Sequence, residues 1–475
     1  MSRGAVVLAV ALVVVSAVLL ALLAAPPAQA IPAYSRLNGQ SCGACHTAIP
    51  KLNQAGEEFR LSGYTRYEGG AVIPKVPPFN VGKLSLPGIF PISVIGTVGF
   101  DAVQIEERSR ETLRTTTDTP NSINLEEFSL LASAPLNRYV SFIVEVPIAE
   151  TEFERDGKKF VLHGPQAPGM AAISLNNLFI DDMVNLRFGA YELPVGPTES
   201  PEHRRLSIAP YQIYDVTAQK LLQLEGGSQT GIADEEQIFA LGKPQLLVEL
   251  YGTAYSERLG ISSMYIRYHF GTSNDSNVNA DNNGSKSVFG RLALTYMDQS
   301  VGVFGIYSSN TLDRTRQDGF PGLRNSVLRF GPDVYLRFLD ERLTVALQHL
   351  WARDSDPTGV GKAFKFQGGY GEVNYVIPTR IGSWVPLARF DYILANRFDN
   401  TAAAADNPLA PSPLVTKPRV FAYTVGLQYL PWENVKFSTE FTYREQSEQL
   451  SKTVSTVEKD RIRELFFALQ MKVGF

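Results

Sequence analysis

The chain has two cysteines, Cys42 and Cys45, and both stand in Cys42-Gly43-Ala44-Cys45-His46. Two thiols three positions apart on one turn, followed at once by an imidazole, match the spacing that attaches a c-type haem. Two thioether bonds then hold the porphyrin, and His46 falls under the iron as its proximal ligand. A structural zinc site needs further ligands close by, and there is no other cysteine to supply them. A disulfide between the pair is chemically open to an exported protein but leaves His46 without a role. The motif therefore predicts one covalent haem c, held by Cys42, Cys45 and His46.

The sixth iron ligand does not come from the same stretch. No His lies between His46 and His163, and after the N-terminal apolar run no Met precedes Met170. Either the site is open or a distant segment closes it. Downstream of the motif, Pro50 can open a helix whose Leu52, Ala55 and Phe59 share one face and which Gly63 ends. That face reads either as a cover for the porphyrin or as an ordinary small core. Arg36, Lys51 and Arg60 are the cations placed to meet haem propionates, with solvated surface charge the plainer reading.

Arg3 precedes an apolar run from Ala5 to Ala25, and Pro26-Pro27-Ala28-Gln29-Ala30 supplies a breaker and an Ala-x-Ala cleavage site. Residues 1–30 thus read as a cleaved export signal, the alternative being an uncleaved anchor, since the run approaches the ~20 residues of a spanning helix. Beyond Ala30 no apolar stretch is that long, so any membrane residence must come from strands. The formal net charge of -4 over 475 residues leaves no electrostatic footprint for nucleic acid.

From about Pro91 the periodicity changes to alternating segments of roughly ten residues bounded by turn residues. Val435, Phe437, Thr439, Phe441 and Tyr443 alternate with Lys436, Ser438, Glu440, Thr442 and Arg444, and Phe421 to Tyr429 repeats the pattern. Short connections such as Leu136-Asn137-Arg138, Asp298-Gln299-Ser300, Leu339-Asp340-Glu341 and Pro431-Trp432-Glu433-Asn434 interleave with long polar ones, Ser273 to Gly284 and Asp399 to Lys417. Aromatic residues crowd the segment ends, and Phe467, Leu469, Met471, Val473 and Phe475 alternate to a terminal Phe. These features favour a membrane barrel over a soluble sandwich. The expected fold is mainly β: a transmembrane antiparallel β-barrel of roughly 16 strands preceded by a short α-helical c-type cytochrome module. The expected division is 1–30 signal, 31–70 haem module, 71–90 Pro-rich linker and 91–475 barrel, with 197–243 either one long loop or a hidden hairpin. A barrel of this size encloses an aqueous lumen.

Strand parity selects the lumen-facing side chains. Met264, Ile266, Tyr268 and Phe270 make one apolar face, which turns Arg267 and His269 inward, and Val288, Leu292, Leu294 and Tyr296 likewise turn Arg291 and Met297 inward. His269, toward the outer mouth, and Met297, toward the inner one, are the sixth-ligand candidates. His349 shares the outward parity of Leu347 and Trp351, and His163, Met170 and His203 read as outer-loop residues.

The stretch Pro32-Ala33-Tyr34-Ser35-Arg36, then Cys42 to Asn53 as Cys-Gly-Ala-Cys-His-Thr-Ala-Ile-Pro-Lys-Leu-Asn, and on through Gly56, Phe59 and Gly63-Tyr64, resembles the fused outer-membrane monohaem cytochrome-porin family of iron-oxidising bacteria. The sequence likeness is confined to roughly 32–64, and the layout of the whole chain agrees. The resemblance implies export to the outer membrane of a Gram-negative bacterium, oxidation of extracellular Fe(II) and passage of the electron to a periplasmic carrier such as a soluble cytochrome c. Oxygen and imidazole donors for the iron are available in Asp234, Glu235, Glu236, or Glu202 with His203, which as plain residues read as a solvated loop face. Two other classes fit the same residues. One is a porin in which the module is a plug or redox-sensitive gate, and the other a haem peroxidase or small-ligand sensor with an open sixth position.

Overall fold

Period-two alternation builds the strands, and in the computed structural model they close on themselves. The structure describes residues 33–64, 66–67, 70–71, 79–81, 84–86, 88, 91–109, 115–154, 159–165, 168–180, 182–222, 239–255, 264–274, 284–309, 325–357, 361–399, 415–447 and 459–474. The proposed signal, the loop acids Asp234, Glu235 and Glu236, and terminal Phe475 lie outside them.

Sixteen antiparallel strands form one closed barrel. They are β1 Ile92–Ser109, β2 Asn121–Pro135 with its extension Thr115–Asp118, β3 Val140–Glu154, β4 Lys159–His163 continued as Met170–Leu175, β5 Asn185–Tyr191 and β6 Gln245–Tyr255. Next come β7 Met264–Asn274, β8 Lys286–Tyr296, β9 Gln299–Ser308, β10 Val327–Phe338, β11 Leu343–Asp354 and β12 Phe364–Tyr375 with Ile377–Thr379. The last are β13 Gly382–Ala395, β14 Arg419–Trp432, β15 Val435–Ser447 and β16 Lys459–Gly474. Closure is made by β16 on β1, from Gly474↔Ile95 to Lys459↔Ser109. Among the described strands of the barrel the seam leaves no open edge, which removes the row of free backbone groups a lipid environment cannot solvate.

Both termini of the barrel share one end with the short turns, among them Met297–Asp298, Arg380–Ile381 and Glu433–Asn434. Among the described residues no helix is long and apolar enough to cross a membrane, and the strands carry the apolar surface instead. Leu292 and Val425, mid-strand on the outside, are 52% and 56% exposed, while inward Arg291 and Thr424 of the same strands are buried. This inverts a soluble protein, in which the buried face is the apolar one, and is the arrangement of a lipid-facing wall. Leu292→Arg is accordingly expected to cost about 2–4 kcal/mol in vesicle-reconstituted protein, read by urea unfolding. A change within ~0.5 kcal/mol, usual for water-facing positions, would place that wall in water.

Along the wall from β4 to β14 the lumen is filled by protein. Between β5 and β6 the chain turns inward as one long segment, carrying the single-turn helices Gln212–Asp215 and Ala218–Leu221 and no hairpin among its described residues. Its Leu193, Val195, Ile213, Tyr214, Leu221 and Leu222 pack on wall residues such as Phe289, Phe304, Leu350 and Ile393 in one buried cluster. Polar wall groups cap its backbone: Glu440 accepts from the amides of Ile208 and Ala209 at 2.7 Å each, and Asp391 from that of Gln212 at 3.2 Å. Within the expected linker, Phe79–Val81 and Leu84–Leu86 form a small two-stranded pair.

Candidate functional site

The N-terminal module begins with helix α1, Ala33–Asn38, followed by a 3-10 turn, Cys42–Ala44, that contains the first half of the motif. His46–Ala48 pairs with Lys51–Leu52, and helix α2 follows as Gln54–Leu61. Pro50 therefore sits in the turn of that pair and does not open the helix. Asn53 does: its Oδ1 accepts from the Gly56 amide at 2.8 Å, satisfying one of the free donors of the first turn. The Asn53 amide group also donates to the carbonyl of Ala44 at 3.1 Å, and its backbone N–H to that of Cys45 at 2.9 Å, so one residue ties α2 to the motif. Ala55 and Phe59 are buried as expected, and Phe59 meets Tyr34 and Tyr64 edge-on, with centroids 5.3 and 5.6 Å apart.

This module is seated in the short-turn mouth of the barrel. Glu433, in the β14–β15 turn, accepts from the Cys42 amide at 2.7 Å, and Glu341, in the β10–β11 turn, from that of Gln54 at 3.2 Å. Arg36 donates to the carbonyl of Ile92, and Tyr34 bonds Ser133. Lys51 enters the wall, donating to Thr344 and, at 3.0 Å, to Asn374. Lys51 and Arg60 are buried rather than solvated, and all three cations have protein partners.

Cys42 and Cys45 are free and half-buried beside the mouth. Burial, reinforced by the neighbouring Glu433 carboxylate, pushes the Cys42 thiol up to about 11, and burial also raises that of Cys45. Burial lowers the His46 pKa, with the nearby carbonyls of Lys51 and Pro50 acting the other way, and His46 Nδ1 is buried without a hydrogen-bond partner. A neutral imidazole with an unsatisfied nitrogen, next to two unbridged thiols on one turn, fits a haem c attachment site. Gly56 sets the close approach of α2 to the motif, because a Cβ there would fall 2.1 Å from the Cys45 carbonyl oxygen. Gly56→Ala is expected to loosen the module by about 1–3 kcal/mol, measured by protease susceptibility of residues 33–64. Gly43→Ala, whose nearest contacts would be 3.6 Å away, serves as the control and should behave as the parent.

At its inner end the module meets a buried charge network that sequence reading did not find. Arg60 of α2 pairs with Glu57 at 2.9 Å and with Glu199 of the inward segment at 2.5 Å. Arg204 contacts Glu57 at 3.2 Å, and wall residues Arg267, Arg291 and His269 reach Glu199 at 3.8, 3.6 and 3.5 Å. Burial opposes the ionised form of Glu57, but Arg60, Arg204 and Arg267 outweigh it and hold that carboxyl below its ordinary value.

The sixth-ligand candidates separate here. His269 faces the lumen, but it lies mid-strand and not toward a mouth, and its Nδ1 is 2.7 Å from Glu249 while its Nε2 faces Glu199. An imidazole between two carboxylates is spoken for as a cation partner. Met297 is not lumen-facing: it lies in the two-residue turn Met297–Asp298, with φ 47° and 61% exposed. His349 is outward-facing, bonded to the Tyr392 hydroxyl at 2.6 Å. His163 and Met170 belong to β4 and not to a loop. His203 lies on the inward segment between Glu145 at 2.8 Å and Glu192 at 3.1 Å. Burial works against its charge, but the two carboxylates prevail and hold its pKa well above the ordinary value. Both ring nitrogens of His203 thus face carboxylates of the protein. Among the described residues no group of three or more His, Cys, Asp or Glu side chains is arranged to hold a metal ion.

No protein-family model matches the sequence, and no curated protein matches it. Among solved structures, an anion-selective porin from Comamonas acidovorans aligns with a TM-score of 0.46 at 11% identity, covering 81% of this chain and 99% of that one. The outer membrane channel DcaP of Acinetobacter baumannii aligns at 0.45 and 11%, over 81% and 97% of the two chains. The loop L8 deletion mutant of OmpT from Vibrio cholerae aligns at 0.42 and 9%, over 81% and 99%.

Proposed function

We propose that this chain is an outer-membrane barrel whose N-terminal module carries one covalent haem c on Cys42, Cys45 and His46 and passes electrons across the membrane to a periplasmic carrier. The observation that carries the reading is the seating of the Cys42–His46 turn in the short-turn mouth, which in outer-membrane barrels faces the periplasm. Haem bound there supplies a one-electron couple within reach of a soluble cytochrome c. Glu433, Asn53 and Glu341 hold the turn in place, and His46 keeps a neutral imidazole for the iron. The lumen above it is packed with protein along β4 to β14, which suits a conduit for electrons better than an open channel for solutes. The donor we assign is Fe(II). Mixing the oxidised, haem-loaded chain with Fe(II) in a stopped-flow instrument should bring up the reduced haem bands. Reduction by dithionite but not by Fe(II) would remove iron as the donor.

A second reading, a porin in which the module is a plug or redox-sensitive gate, is favoured by the Arg60–Glu199 pair that fastens module to inward segment. It requires solute flux in liposomes that differs between the oxidised and reduced protein. Negligible flux in both states would end it.

A further inference from the structure

The inward segment packs on the wall from β4 to β14, and the opposite wall, β16–β1–β2–β3, is different in chemistry. Its lumen face is acidic. On β3, Glu150, Glu152 and Glu154 alternate inward from the long-loop end and are exposed, and Glu150 stands directly across from Glu127 of β2. Like charges paired across a ladder are unfavourable unless something of opposite sign lies between or near them. Lys472 of β16 answers Glu127 at 2.7 Å.

In the same wall, on the long-loop side of Glu127, Asp101 of β1, level with Ser122 of β2, and Glu126 of β2 bring their carboxyls within hydrogen-bonding reach of each other. Asp101 is only 5% exposed; its Oδ2 accepts from Asn124 at 3.0 Å, but its Oδ1 is buried with no partner, and so is Glu126 Oε1. Among the described residues no lysine, arginine or histidine forms an ion pair with either. The space for the pair is made by Gly99, where a Cβ would fall 2.4 Å from Glu126 Oε1. Two neighbouring carboxylates, each with a buried oxygen that has no donor, call for a shared proton or a cation.

We propose that Asp101 and Glu126 form a binding site for an oxygen-preferring divalent cation on the long-loop side of the wall, neighboured by the acidic row Glu150, Glu152 and Glu154. Two carboxylates and water, with the Asn124 amide group donating to Asp101 beside them, offer the hard-oxygen donors that Mn(II) and Fe(II) accept. Assigning the cation as the electron donor rests on the conduit reading; the binding itself does not.

The test uses Mn(II) as probe on the full-length protein in detergent, free Mn(II) being read by its electron paramagnetic resonance amplitude. One site per chain is expected, weakened at least tenfold in Asp101→Asn and in Glu126→Gln. Both changes keep side-chain shape, and heat-modified mobility on gels confirms that each barrel is folded. Gly99→Ala, which crowds Glu126 and leaves both carboxylates in place, should weaken it as well. Affinity unchanged in the two carboxylate variants, or an infrared band of a protonated carboxyl that survives saturating Mn(II) and disappears only in Glu126→Gln, would overturn the site in favour of a shared proton. Haem content of the same samples tests the conduit separately: chains without haem that still lose Mn(II) on Asp101→Asn sustain the site and sink the cytochrome.

Discussion

Removing both thiols, as Cys42→Ala with Cys45→Ala, is expected to abolish covalently bound haem while leaving the barrel folded. The two side chains are half-buried at the mouth and contribute little apolar burial, and the turn that carries them is fixed by backbone contacts to Glu433 and Asn53, which alanine preserves. Closure of the barrel depends on strand pairing far from either residue. Denaturing gels stained for haem should therefore show signal in the parent, less in each single variant and none in the double. His46→Ala differs in kind: the thioethers can form, so the haem stain is kept, but the proximal ligand is gone, and the reduced absorption bands should shift away from those of the parent. A parent protein purified from a host competent for haem attachment yet without stain would sink the cytochrome reading, and with it the conduit. The plugged barrel would remain.

How much of this was legible in the sequence depends on whether the governing contact is local. Alternation is local, so the strand count, the closing apolar strand and the inward parity of Arg267, His269 and Arg291 could all be read directly. Met297 was misplaced by a single residue, since β8 stops at Tyr296 and the turn takes Met297 into the left-handed region, where parity has no meaning. His163 and Met170 read as loop because β4 is interrupted between them. The filling of the lumen had no local signature: the partners of Ile208, Gln212 and Tyr211 are Glu440, Asp391 and Glu372, each more than a hundred and fifty positions away by sequence. For the same reason Lys51 and Arg60 looked like surface cations. A short module that inserts into a barrel turns its own surface into an interior, and only the partner wall reveals it. A signal for the network did exist in the unusual number of inward-parity arginines, which a packed lumen must neutralise.

Glu199→Ala is expected to have the largest effect on the barrel's closure. Its carboxylate is 1% exposed and is the meeting point of Arg60 from the module and of His269, Arg267 and Arg291 from the wall. Its backbone, at φ 52°, is held in a region that non-glycine residues occupy at a cost of roughly 1–2 kcal/mol, which the surrounding contacts must offset. Burial alone disfavours the charged carboxylate, yet His269, Arg267 and Arg60 hold it well below the ordinary range, so the anion is present at neutral pH. Deleting it leaves three buried guanidinium groups and an imidazole with less counter-charge than they need, a loss of about 3–5 kcal/mol for a broken buried pair. Since that pair joins the module to the inward segment, the loss falls on the plug rather than on the strand ladder. In planar bilayers the parent should be nearly silent and Glu199→Ala should open in steps, with residues 33–64 becoming open to protease at the same time. Adding Arg60→Gln removes one of the stranded cations and should recover part of the closure, whereas two independent lesions would simply add. A parent that already conducts as freely as the variant would mean that the packed lumen does not close the barrel, and the conduit reading would then lose its advantage over the porin.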